Sequence, residues 1–183
     1  MKQARNNYEE WRHNNYEEME SIIRGYGPFR VFVTLTFRIP IRDAEGWRVL
    51  DSVVRRLHRT MFGKAWRKMP KFDGVASLER THFSTRRGKL LRSCHFHLLI
   101  KDHPRQARDI DAAVRQMAKA LQKITRGLRS TNGVVLVNAK NGVTVLAVDD
   151  QAVSGYVVKE ARNQQWKLDE RIRTIASICE ARN

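Results

Sequence analysis

The residues best suited to chemistry are His95-Phe96-His97. Along an extended segment successive side chains point to opposite faces, so His95 and His97 share one face and Cys94, Phe96 and Leu98 the other. The second set is apolar and suits burial under helices. The two imidazoles stand side by side on the remaining face, spaced to hold one divalent ion. A His-x-His pair also arises by chance, so a third ligand is the natural test. Glu79 falls on the preceding predicted strand, on the face it shares with Val75 and Ser77, and its carboxylate can point toward the histidines. Alone it reads as an ordinary solvent-facing glutamate. Two imidazoles plus one carboxylate leave coordination positions open for a substrate phosphate. Such a nitrogen–oxygen set suits Mn²⁺ or Mg²⁺ in a catalytic role better than structural zinc, which usually recruits cysteines. Cys94 points to the core side and Cys179 stands alone in the tail, so neither completes a zinc site.

A second candidate pair lies far downstream, Tyr156 and Lys159 within QAVSGYVVKEAR. Positions i and i+3 of a helix share a face, so the hydroxyl and the ammonium can project together. A tyrosine with a pKa of about 10 is a poor nucleophile at neutral pH. A nearby ammonium and a charge-neutralised phosphate favour attack by the phenolate. A lone Y-x-x-K is more often a packed helix tyrosine beside a solvated lysine.

These residues need elements to hold them. Residues 1–25 carry Tyr8, Trp11, Tyr16, Met19, Ile22 and Ile23 at three- and four-residue steps, a helical spacing ended by Gly25 and Gly27-Pro28. Phe29–Phe37 is rich in β-branched and aromatic residues and bounded by prolines, which predicts a strand. A helix is predicted from Asp43 or Ala44 to about Phe62, with Trp47, Leu50, Val54, Leu57 and Met61 inward. Strands near Val75–Thr81 and Arg92–Ile100 flank a turn at Arg86-Arg87-Gly88-Lys89. A second helix spans 105–128, with Ile110, Val114, Met117, Leu121 and Ile124 inward. A second hairpin, VVLVN and VTVLAV around Asn141-Gly142, comes next. A helix from Asp149 or Asp150 to about Arg162 and an amphipathic tail, 164–183, complete the chain. This order predicts an α+β fold: a ferredoxin-like antiparallel sheet with two helices on one face and the other face left free for the site. The predicted domain is 29–163, with helical extensions 1–28 and 164–183.

Charge narrows the partner. The 183 residues carry 35 Lys and Arg against 19 Asp and Glu, a formal charge of +16. With 42% hydrophobic residues the chain can build a core, so this is no disordered basic tail. A field of that sign attracts nucleic acid first and anionic membrane second. No apolar run approaches the about 20 residues of a membrane span, and the first residues lack the apolar centre of a signal peptide. Two cysteines make no disulfide framework, which predicts an intracellular, cytoplasmic protein. Arg55, Arg56, Arg59, Lys64, Arg67, Lys68 and Lys71 form one basic block, and Arg86, Arg87, Lys89 and Arg92 another. Such blocks supply phosphate affinity with little sequence information. Trp66 and Phe72 interleave with the first block as candidate stacking rings for unpaired bases. Lys119, Lys123, Arg126 and Arg129 read as the solvated outer face of the second helix.

FVTLTF (32–37), HFHLL (95–99) and YVVK (156–159), in that order, resemble the HUH (His-hydrophobe-His) endonucleases, most closely the single-tyrosine rolling-circle replication initiators, or Rep proteins. The resemblance spans about residues 30–162. It implies metal ligation by His95 and His97, with Glu79 as the acidic ligand from the neighbouring strand. It implies that Tyr156 attacks a single-stranded DNA phosphodiester, leaving a 5′-phosphotyrosine link and a free 3′-OH, with Lys159 near the scissile phosphate. An origin hairpin and a prokaryotic plasmid or phage host fit the same family. Position 160 is Glu and no second tyrosine follows Tyr156, which excludes a two-tyrosine mechanism. No GxxxxGK[ST] motif occurs, so an initiator of this kind must borrow a host or partner helicase. Single-tyrosine transposases share the His pair, and transposition stays open beside replication. The other class is a non-catalytic nucleic-acid binder of RRM (RNA-recognition motif) fold, which reads bases with aromatic rings on central strands. CHFHLLI offers imidazoles there, and Thr34 and Thr36 offer hydroxyls, which favours metal chemistry. The sequence assigns no oligomeric state.

Overall fold

A computed structural model describes residues 17–84, 90–103, 108–130, 132–137, 141–148, 155, 157–158 and 171–176. Helix α1 covers 17–26, followed by β1 (Phe29–Thr36) and α2 (Asp43–Phe62). A 3₁₀ turn, Gly63–Lys68, leads toward β2 (Gly74–Ser84) and β3 (Leu90–Lys101). Then come α3 (Ile110–Arg126), β4 (Val143–Ala147) and β5 (Ile172–Thr174). The strands form one antiparallel sheet in the order β4-β1-β3-β2-β5. The first four positions are those of the predicted ferredoxin-like sheet, and β5 adds a short edge beyond β2.

Alternation sorts each strand into two faces. Val31, Val33 and Leu35 of β1, Ala76 and Leu78 of β2, and Cys94, Phe96, Leu98 and Ile100 of β3 point to one side and are buried. Against them pack Trp47, Leu50, Val53, Val54 and Leu57 of α2 and Met117, Leu121 and Ile124 of α3. These are the predicted stripes with Val53 added, while Met61, Ile110 and Val114 pack at the margin. Helix α2 runs against the sheet closely enough that Gly46 has no room for a side chain: a Cβ there would lie 2.6 Å from Cys94 Sγ. Asp109 caps α3, its carboxylate accepting from the Ala112 N–H at 2.8 Å. Asp43, in the first turn of α2, holds Arg80 at 2.6 Å and Arg171 at 3.2 Å. Gly74 opens β2 with φ at +152°, where a Cβ would meet Leu99 O at 2.0 Å, so only glycine fits this close pairing.

Three expectations need correction. The predicted second hairpin does not pair its own arms among the described residues. β4 pairs with β1, Val137 bridges to Phe37 and Val135 to Arg129. Thr36 N–H donates to Gly142 O and Arg38 N–H to Leu136 O, so both arms lie in tandem along one edge of β1. The second sheet face is also not left free. Phe32, Val75 and Leu99 make it apolar, and Met19, Ile23, Val157 and Val158 cover them in a second core cluster. Finally, α1 continues through Gly25 and stops at Tyr26, directly before the Gly27-Pro28 pair expected to end it, and Ile22 is 57% exposed although Met19 and Ile23 are buried. The turn at 86–89, the helix start at 149–150, Cys179 and most of the tail lie outside the described residues.

Candidate metal centre

On β3, His95 and His97 point to the face away from α2 and α3, as the alternation predicts, and Glu79 of β2 stands opposite His95 in the register. All three are buried, His97 to 2% exposure, Glu79 to 8% and His95 to 9%. Glu79 is therefore no solvent-facing carboxylate. Its Oε2 lies 2.8 Å from His95 Nε2 and 2.7 Å from His97 Nε2, and the two Nε2 atoms are 3.0 Å apart. Three lone-pair donors crowded into one small triangle repel one another unless a proton or a cation lies among them. The chain thus assembles a group able to hold a metal ion.

The surroundings orient the ligands. Thr34 of β1, opposite His97 in the register, brings its Oγ1 to 3.1 Å from His97 Nδ1. Phe32 stacks on the His97 ring, with centres 5.4 Å apart and planes inclined by 14°. Together they fix the ring and direct Nε2 at Glu79 and His95. For His95, Nδ1 has no hydrogen-bond partner among the described residues. Burial alone would raise the Glu79 pKa, but hydrogen bonds from His95 and His97 outweigh it and hold the carboxyl well below the ordinary carboxylate range. The same site therefore stays an anion at neutral pH, as a metal ligand must.

Of the other predicted site residues, Tyr156, Lys159, Arg86, Arg87 and Lys89 lie outside the described residues. The helical residues Val157 and Val158 are described, and both are buried on the face of the metal group. Ser77, opposite His97 in the β2–β3 register, donates its hydroxyl to Val157 O at 2.9 Å. The first basic block is not beside the ligands. Arg55, Arg56, Arg59, Lys64, Arg67, Lys68 and Lys71 belong to the second half of α2, the 3₁₀ turn and the segment leading to β2, in the helix layer behind the sheet. All but Arg55 are exposed, Trp66 is half-buried, and Phe72 belongs to the helix-side core. Cys94 is buried in that core too, and burial with the Asp43 charge nearby pushes its thiol up to about 12, so it is no ligand.

Sequence reasoning missed Phe32, Ser77 and Thr34 as supports. Their signal was present: each shares the alternating face of His97 on a neighbouring strand. No family model, curated protein or solved structure matches the chain. Among the described residues no helix is long and apolar enough to cross a membrane.

Proposed function

We propose that the chain is a metal-dependent nickase and strand transferase of the HUH kind, acting on single-stranded DNA to initiate rolling-circle replication of a plasmid or phage. The observation that carries this is the buried Glu79–His95–His97 group on the face of a ferredoxin-like sheet turned away from α2 and α3. The donor set suits Mn²⁺ or Mg²⁺, and a bound ion of this class supplies Lewis-acid polarisation of a phosphate oxygen. Tyr156 is the nucleophile: its oxygen bonds to phosphorus as the bond from phosphorus to the 3′-oxygen breaks. The phenolic proton ends on the departing 3′-oxygen, giving a 5′-phosphotyrosine and a 3′-OH. Lys159 stabilises the phenolate and the phosphate charge. Rejoining reverses these steps with a second 3′-OH.

What supports a role for Tyr156 is its neighbour. Val157, the next residue in the chain, accepts a hydrogen bond from Ser77 on the same face as the ligands. The charge of +16 fits a polyanionic substrate. Incubating the protein with Mn²⁺ and single-stranded fragments of its own replicon tests this. Discrete cleavage products on a denaturing gel, lost with EDTA, are expected. Binding without cleavage of fragments that include the origin would favour the non-catalytic binder instead.

A further inference from the structure

Behind the sheet, α2, the 3₁₀ turn and the segment before β2 enclose a cleft of about 240 Å³. Its walls are ring faces and edges from His58, Trp66 and Phe72, and its cations are Arg55, Arg67 and Lys71. None of its lining residues is acidic. The frame is built rather than loose. Pro70 O lies 2.8 Å from Nε2 of His58 and 2.8 Å from Nε2 of His103, and both imidazoles are buried. A carbonyl only accepts, so both rings donate to it and pin the segment that carries Lys71. The His103 ring stacks on Phe62 at 4.3 Å, and the guanidinium carbons of Arg59 and Arg67 lie 4.9 and 5.3 Å from the Trp66 ring centre. A pinned wall loses little entropy when a ligand arrives.

Aromatic walls with a cationic rim fit a flat apolar ring that bears a negative charge. Arg55 is ion-paired to Asp51, which leaves the rim cationic at Arg67 and Lys71. A simple anion would leave the rings unused, and a neutral apolar ligand that charge. The volume lies below the about 300 Å³ at which pockets for drug-sized molecules begin, which leaves room for one base and not for a stacked base pair. We propose that this cleft is a second nucleic-acid site, taking one unpaired nucleotide of a single strand with its base on Trp66 and its phosphate on Arg67 and Lys71. It needs no metal ion. It lies across the sheet from Glu79, His95 and His97, so a strand engaging both must pass around the sheet. The proposal rests on single-stranded DNA being the partner, but not on cleavage.

The test uses the ¹⁵N-labelled full chain in EDTA, titrated with a mixed-sequence single-stranded 12-mer, the same sequence as duplex, and free dAMP. The Trp66 indole signal, identified by its loss in Trp66→Phe, should shift saturably with the single strand and not with the duplex. Trp66→Ala should weaken single-strand affinity at least about fivefold. Arg67→Gln and Lys71→Gln, both at exposed positions, should each flatten the dependence of log affinity on log salt by about 0.7. They carry the test alone if Trp66→Ala fails to fold. An unmoved Trp66 signal at saturation, or unchanged affinity and salt slope in the variants, would overturn the proposal. So would dAMP binding as tightly as the strand, which would make the cleft a free-nucleotide site. Metal is absent throughout, so these results stand or fall separately from cleavage.

Discussion

Thr34 Oγ1 lies 3.1 Å from Nδ1 of His97, across the β1–β3 ladder from the metal group. With Nδ1–H donating to the hydroxyl, Nε2 is the nitrogen of His97 turned toward Glu79 and His95. Thr34→Val keeps the shape and removes the acceptor. Loss of such a support typically costs about 10- to 100-fold in metal affinity. Calorimetric titration with Mn²⁺ should show a loss in this range, with the far-ultraviolet circular dichroism unchanged. Unchanged affinity would make the contact incidental.

Metal should stabilise the fold as well as act in it. An ion that binds only the folded chain at about 100 times its Kd adds about 2.7 kcal/mol. For a chain of this size that corresponds to a rise in Tm of about 5–10 °C. Thermal unfolding with Mn²⁺ and with EDTA should differ by that amount in the wild type and not in His97→Ala. Equal shifts in both would place the ion elsewhere.

The Glu79 carboxyl gives the metal-free protein a pH dependence of known sign. Its folded pKa is depressed, because the His95 and His97 hydrogen bonds outweigh burial. The stability it contributes is therefore fully present above its ordinary value of 4.5 and is lost as pH falls below that toward the folded value. Glu79→Gln cannot titrate. Between about pH 5 and about pH 3 the wild type in EDTA should lose more stability than this variant, as urea unfolding at each pH would show. Parallel losses would remove Glu79 from the acid response.

Gly46 tests the helix–sheet contact. A Cβ there would lie 2.6 Å from Cys94 Sγ and 3.2 Å from the Phe96 ring, both buried. Helix propensity favours alanine by about 1 kcal/mol, but overpacking typically costs about 1–3 kcal/mol. Gly46→Ala should be net destabilising in urea unfolding, and adding Cys94→Ala should recover part of the loss. A double variant no more stable than Gly46→Ala would place the strain elsewhere.

How much of this was legible follows from the physics of each element. Period-2 alternation placed His95, His97 and Glu79 on one face because a strand side chain has only two faces to choose from, and the same rule sorted Cys94 into the core. The stripes of α2 and α3 were equally plain, since their apolar residues recur at the helical period. Pairing of the 134–147 region was not legible. Asn141-Gly142 is a hairpin signal, but the open edge of β1 competes for both arms, and that competition has no local trace. Nor was the cover over the second face. Met19 and Val157 are distant in sequence from Phe32 and Leu99, and only the folded chain brings them together. The sequence did not say on which side of the sheet the basic block lies, because charge runs carry no direction. Its position behind the sheet follows from α2 packing on the side away from the histidines.

The most direct test of the central claim is the bond between protein and DNA. The full chain is incubated with Mn²⁺ and a single-stranded origin fragment, digested with trypsin and nuclease, and mapped by mass spectrometry. A phosphonucleotide adduct on Tyr156 is expected, absent with EDTA and absent in Tyr156→Phe, which should keep its DNA affinity. Cleavage with the adduct on another residue, or cleavage that persists in Tyr156→Phe, would contradict the account.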